Sequence, residues 1–242
     1  MRSEVLSYEA DGLDMESHLY VDDGRAGPRS AVLVFPEAFG LGEHAKAKAR
    51  KLAELGYVAL ACDLHGQGRI ITDREALKAE LGALFDAPER IRARAGGGMD
   101  ALLAQPGVDA GRIAAIGFCF GGTMALELAR GGRTIAGAVG FHSGLRTTRP
   151  QDAANIRGKV LVMIGADDPG IPADQRAAFE AEMRAARVDW RMTLYGGVVH
   201  SFTNPEADAM GMPDFSRYDA AADRRSWAEM LAFFDEILGK AA

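Results

Sequence analysis

The chain has little cysteine. Its 242 residues include two, Cys62 and Cys119, too few for the disulfide framework that stabilises small secreted domains. Two free thiols fit a reducing compartment, and the expected location is cytoplasmic. The opening Met1-Arg2-Ser3-Glu4-Val5-Leu6 lacks the long apolar stretch of a secretory signal. Nowhere does the sequence reach the roughly 20 apolar residues of a membrane span. Excess positive charge is absent too: 28 Lys and Arg are outweighed by 34 Asp and Glu, for a formal net charge of -6. The bases are interleaved with acids, as in Asp86-Ala87-Pro88-Glu89-Arg90-Ile91-Arg92-Ala93-Arg94. A nucleic-acid partner would need a basic stripe, so both nucleic acid and membrane are excluded as expected partners. No repeat, low-complexity tract or long linker divides the chain, and one domain over residues 1–242 is expected.

What is there is globular composition, 48% apolar and 26% charged residues. Short β-rich runs alternate with longer helical stretches, the pattern of a mostly parallel sheet covered by helices on both faces, an α/β fold. Residues 3–9 and 16–21 read as a leading antiparallel pair. Ala31–Phe35, Tyr57–Ala61, Arg112–Ile116, Ile135–Gly140, Val160–Ile164 and Arg191–Tyr195 read as strands. Helices are expected over about 43–55, 120–130, 172–186 and 217–239. Helical periodicity over 73–104 is broken near Pro88, and the Gly96-Gly97-Gly98 triplet argues against one continuous helix there.

The most informative stretch is Ile113-Ala114-Ala115-Ile116-Gly117-Phe118-Cys119-Phe120-Gly121-Gly122. It reads strand, sharp turn, helix, with Gly-x-Cys-x-Gly at the turn, the cysteine form of the nucleophile elbow. The central residue is forced into a strained conformation, so small neighbours two positions away let strand and helix approach. Cys119 would then be exposed at the carboxyl edge of the sheet and at a helix N-terminus, where dipole and free N–H groups favour a thiolate. The N–H of Phe120 would be placed to donate to an oxyanion. Alone, the motif is more readily a small buried thiol with packing glycines; the strand before it and the helix after it favour the nucleophile.

An elbow nucleophile is followed in chain order by an acid and then a histidine, each after a later strand. Val160–Ile164 leads into Gly165-Ala166-Asp167-Asp168-Pro169-Gly170-Ile171-Pro172, and Arg191–Tyr195 leads into Gly196-Gly197-Val198-Val199-His200-Ser201-Phe202. Asp168 is the preferred acid, with Asp167 a turn residue. His200 is the base. His65 and His142, each past a strand end, are candidates to line the pocket. No metal-ligand spacing joins them to His200, and no metal or cofactor is expected.

With these residues the chain resembles the dienelactone hydrolase family, of the α/β-hydrolase superfamily, over nearly its whole length. The resemblance rests on Pro36-Glu37-Ala38-Phe39-Gly40, Cys62-Asp63-Leu64, Gly117-Phe118-Cys119-Phe120-Gly121-Gly122, Asp168-Pro169-Gly170-Ile171-Pro172 and His200-Ser201-Phe202. It implies a Cys119–His200–Asp168 triad on an α/β-hydrolase sheet without a large cap domain. It also implies that Glu37 interacts with the nucleophile thiol, and that the second oxyanion donor is the N–H of Ala38. One departure stands out. Dienelactone-cleaving members grip a substrate carboxylate with arginines, one of them shortly after the His-Ser-Phe stretch. Here that stretch continues Thr203-Asn204-Pro205, and arginine is the natural bidentate partner of a carboxylate. Arg74, Arg90 or Arg94 would have to supply the cation.

The expected activity is therefore hydrolysis of a small carboxylic ester or lactone through a thioacyl intermediate, by a monomer or homodimer. Phe39, Phe118, His142, Phe202 and Asn204 are the candidates for substrate contact. Activated neutral esters, phosphotriesters among them, are the second expectation, and a thiol-based redox sensor or binding protein is the third.

Overall fold

The computed structural model describes residues 1–239. The chain enters as a hairpin of β1 (Arg2–Ala10) and β2 (Leu13–Val21), closed by Asp11 and Gly12 at φ 54° and 68°. Positive φ at both turn residues gives the type I′ geometry whose twist matches the strands, and Asp-Gly is a preferred sequence for it. Six further strands follow: β3 (Arg29–Phe35), β4 (Val58–Ala61), β5 (Val108–Phe118), β6 (Gly137–Phe141), β7 (Lys159–Gly165) and β8 (Trp190–Tyr195). All eight form one sheet in the order β1-β2-β4-β3-β5-β6-β7-β8. β2 meets β4 antiparallel, and every pairing from β4 to β8 is parallel.

Helices α1 (Glu43–Glu54) and α6 (Ala220–Leu238) cover one face, packing Leu52, Trp227, Met230 and Phe234 on Val34, Ile116, Val139 and Leu161. Helices α2 (Arg74–Asp86), α3 (Pro88–Leu103), α4 (Phe120–Arg130) and α5 (Ala173–Ala186) cover the other. There the strands present the alternate residues Leu33, Leu60, Ala115 and Val162. Both faces being covered, the central strands read as unbroken apolar runs instead of alternating ones.

Several boundaries differ from those the sequence suggests. α6 begins at Ala220 because the Asp219 carboxylate accepts from the N–H groups of Ala221 and Ala222 at 3.0 and 2.8 Å, an N-cap three residues later than expected. The break at Pro88 is real, since proline starts α3 where its missing N–H costs nothing. The Gly96-Gly97-Gly98 triplet, however, lies inside continuous helix. A Cβ on Gly97 would come 2.6 Å from the Ala10 Cβ, and one on Gly98 would come 3.3 Å from the Cys62 Sγ. These two glycines permit close approach of helix to sheet instead of ending the helix.

The carboxyl ends of β3 and β5–β8 share one edge, and the connections over it are loops at 36–42, 62–73 and 196–219. No helix among the described residues is long and apolar enough to cross a membrane.

Candidate active site

β5 ends at Phe118, α4 starts at Phe120, and Cys119 between them adopts φ 54°, ψ −119°. That left-handed conformation costs a non-glycine residue on the order of 1–3 kcal/mol and persists only where its surroundings over-determine it. Here they do. A Cβ on Gly117 would overlap the Gly121 carbonyl, and one on Gly121 would overlap the Phe35 carbonyl. The Cys119 N–H donates to the Phe141 carbonyl at 3.0 Å and to His142 Nδ1 at 3.2 Å. The Phe120 N–H belongs to the first turn of α4, where the N–H groups have no intrahelical partner. Cys119 itself is half-buried at the cavity wall.

His200 follows β8 on the loop 196–219. Its backbone is pinned by His200 N–H to Phe215 O (3.0 Å) and Arg217 N–H to His200 O (3.1 Å). Its Nδ1 lies 2.7 Å from Asp168 Oδ2, and the imidazole shares a cavity wall with Cys119. Of the two adjacent acids only Asp168 makes this bond. The Asp168 side chain is fully buried, and its other oxygen accepts the Gly170 N–H at 2.8 Å. Burial alone would lower the His200 pKa. Cys119, together with the bonded Asp168 carboxylate, outweighs it and holds His200 well above the ordinary histidine value.

Glu37 stands in the turn that leaves β3, whose Gly40 N–H closes back on the Glu37 carbonyl at 3.1 Å. Its Oε2 accepts from Asn204 Nδ2 at 2.7 Å, and burial raises its pKa against the opposing pull of Asn204 and His200. Beneath the same turn, His65 Nε2 sits 2.8 Å from the Ala38 carbonyl.

A cavity of about 460 Å³ opens between these groups, with Cys119, His200, Glu37 and Ala38 in its wall. Phe39 and Asn204 line it as expected. Phe118, His142 and Phe202 do not, each having no exposed surface. Phe118 precedes the elbow and so faces the α1–α6 side, stacked on Phe141 at 4.9 Å; Phe202 packs edge-on against His142 at 5.1 Å. His65 faces a separate small hollow with Asp14 and Arg69. Periodicity cannot tell which side of the sheet a residue at a strand end such as Phe118 or His142 takes, and it says nothing of where a loop residue such as His65 or Phe202 points.

The cations proposed for a substrate carboxylate are also elsewhere. Arg90 and Arg94 pair with Asp11, Arg94 additionally with Glu80, and Arg74 is exposed against Met212. Among the described residues no Lys or Arg lines the cavity, whereas Glu37, Glu43 and Glu206 do. Its apolar wall includes Ile70, Met210 and Phe215, which come from distant loops and carry no local sequence signal. His44, also in the wall, likewise went unrecognised in the sequence. Burial drops its pKa to about 3, so it is neutral. Among the described residues no three His, Cys, Asp or Glu side chains converge as a metal would require.

A mostly parallel eight-stranded sheet covered by helices, with a strained Gly-x-Cys-x-Gly turn after its fifth strand, an aspartate after its seventh and a histidine after its eighth, is an α/β-hydrolase fold. The family model for the dienelactone hydrolase family matches residues 15–238. A solved structure called m3DLH is 48% identical, with TM-score 0.94 and coverage of 98% of both chains. A dienelactone hydrolase-like promiscuous phosphotriesterase from metagenomic libraries is 42% identical, with TM-score 0.93, over 98% of this chain and 99% of that one. A Bradyrhizobium sp protein named "Probable 2-oxo-3-(5-oxofuran-2-ylidene)propanoate lactonase" is 28% identical over 86% of this chain and 84% of its own length. The chain belongs to the dienelactone hydrolase family and is a hydrolase of that kind.

Proposed function

We propose that the protein hydrolyses small uncharged carboxylic esters or lactones, with Cys119 as nucleophile, His200 as base and Asp168 as its orienter. The observation that carries this is the 2.7 Å bond from Asp168 to His200, which shares one cavity wall with Cys119 at a strained elbow. The Cys119 thiolate attacks the carbonyl carbon, and the carbonyl electron pair moves to oxygen. The N–H groups of Ala38 and Phe120 hold that oxyanion, each such donor contributing about 3 kcal/mol in comparable sites. Collapse expels the alcohol, which takes its proton from His200, and leaves a thioacyl enzyme. His200 then removes a proton from water as it attacks, and Cys119 departs. Glu37, in the same wall and bonded to Asn204, interacts with the thiol before substrate binds.

The preference for uncharged substrates rests on the wall: three glutamates, no lysine or arginine among the described residues, and an Asn204 amide already engaged by Glu37. An anionic lactone would meet repulsion there and no bidentate partner. The same wall, with a 42% identical relative that is a promiscuous phosphotriesterase, favours a second reading. In it Cys119 attacks the phosphorus of an activated phosphotriester, the same N–H groups hold the phosphoryl oxygen, the P–O bond to the aryloxide breaks, and water activated by His200 then displaces Cys119 from phosphorus.

The test is turnover of a p-nitrophenyl acetate-type ester, a dienelactone and a p-nitrophenyl phosphotriester by the protein and by Cys119→Ala. Ester turnover that vanishes in the variant, with the dienelactone slower, is the expected result. Equal rates in both proteins would overturn the cysteine mechanism. A burst of p-nitrophenol from the phosphotriester with no steady rate marks inhibition, and sustained release marks catalysis. A thiol sensor, unlike a hydrolase, would keep its function in His200→Ala.

A further inference from the structure

Below the triad lies a second set of buried polar groups that the proposed chemistry does not use. His142, at the end of β6, has no exposed surface, and neither does Thr203, three residues past His200. The Cys119 N–H points at His142 Nδ1, 3.2 Å away, so that nitrogen carries a lone pair and the ring proton is on Nε2. Nε2 lies 2.8 Å from Thr203 Oγ1 and donates to it. The Thr203 carbonyl in turn accepts from His44 Nε2 on α1 at 3.0 Å. One chain of bonds thus runs from the nucleophile's own amide, through an imidazole and a hydroxyl, to the loop that carries the base and on to the helix after the Glu37 turn.

Its placement coincides with the strain. Cys119, His142 and Ser201 take φ of 54°, 39° and 56°, three of the six non-glycine residues with positive φ among the described residues. They stand at the end of β5, the end of β6 and the residue after His200. Strained residues keep their conformation only when surrounding contacts leave no alternative. An apolar residue at 142 would satisfy the core equally well, and the Cys119 N–H already has the Phe141 carbonyl. A fully paired polar link at this position adds a fixed distance instead. Burial and the neighbouring His200 both keep His142 neutral, which preserves the Nδ1 lone pair the link needs.

We infer that His142 and Thr203 are positioning residues that tie the nucleophile turn to the histidine loop and so set the separation of Cys119 from His200. The inference rests on the proposed role of those two residues. Misplacing a reacting group by about 1 Å costs as much as 100-fold in rate, so loss of the link should lower kcat roughly 10- to 100-fold while KM changes little.

Thr203→Val keeps the shape and removes the hydroxyl, and Thr203→Ser keeps the hydroxyl. His142→Asn can still accept the Cys119 N–H but is too short to reach Thr203. Each is assayed for kcat and KM on the ester, for the rate of Cys119 alkylation by iodoacetamide, and for its melting curve. The expected result is a fall in kcat and alkylation in Thr203→Val and His142→Asn, with Thr203→Ser within about threefold of the parent. If Thr203→Val does not fold, His142→Asn against Thr203→Ser decides. Folded variants with parental kcat, or Thr203→Ser as slow as Thr203→Val, overturn the inference. Cys119→Ala, run alongside, separates the two failures: residual turnover there removes the cysteine mechanism itself.

Discussion

Changing Asp168 to Asn alters one atom and reverses one hydrogen bond. The Gly170 N–H lies 2.8 Å from Oδ1 and needs an acceptor, so an amide at 168 keeps its oxygen there. Its NH2 group then faces His200 Nδ1 across the 2.7 Å gap now spanned by the Nδ1–H bond. An NH2 cannot accept, so His200 must present a lone pair at Nδ1 and carry its proton at Nε2. Nε2 is the nitrogen left to serve Cys119, and with a proton on it His200 no longer acts as a base. The lost charge-assisted bond alone is worth about 1.5–3 kcal/mol, roughly 10- to 150-fold at 1.36 kcal/mol per decade. The locked tautomer takes the loss further, to about 10³–10⁴-fold in kcat, the size seen when a triad aspartate is made an amide. The assay is steady-state hydrolysis of a p-nitrophenyl ester, with Asp167→Asn as control. Asp167 makes no bond to His200, and its change should cost less than about threefold. If Asp168→Asn keeps more than a tenth of the parental rate, or Asp167→Asn falls as far, the assignment of the acid is wrong.

Three other outcomes follow from the same structure. Within the glycine triplet, Gly96→Ala meets nothing within 4 Å and should stabilise by about 0.4–1 kcal/mol, whereas Gly97→Ala runs into Ala10 and should destabilise by about 1–3 kcal/mol; urea midpoints would show opposite signs. The raised pKa of buried Glu37 means the folded state holds its proton more tightly than the unfolded chain. Its contribution is fully present below the unfolded pKa and is lost as pH rises through the folded one. Glu37→Gln should therefore gain stability relative to the parent as pH rises from 4.5 to 8, and melting curves at both pH values that differ by a constant would refute this. Finally, Glu206→Gln removes a carboxylate from the exposed cavity rim. At about 4 Å in water a unit charge pair is worth about 1 kcal/mol, so kcat/KM for an anionic lactone should rise up to about fivefold at low salt. Neutral esters should change less than twofold.

The elbow, the acid loop and the histidine loop were all legible because each pairs a strand pattern with residues at fixed spacing. Gly117, Gly121 and the order Cys119, Asp168, His200 are local facts about the chain. The cavity wall was not, since Ile70, His44 and Phe215 are brought together only by the sheet order β4-β3-β5-β6-β7-β8. Phe118 and Phe202 lie outside the wall for a related reason: at a strand end or in a long loop, aromatic character suits either side. The glycine triplet misled because glycine in a helix can mean a break or a near neighbour, and the neighbours, Tyr8 and Ala10, lie almost ninety residues away.

Cys62 bears on how the protein can be handled. It is fully buried beneath α3, beside Gly98, and burial pushes its thiol pKa well above the ordinary value. Towards a thiol reagent at neutral pH the folded protein is therefore a single-cysteine protein. One equivalent of label counts Cys119 alone, so under the proposed mechanism activity should fall in step with the labelled fraction. A second equivalent, arriving later, times the opening of the fold around Cys62. One reagent thus follows Cys119 and global unfolding in the same tube.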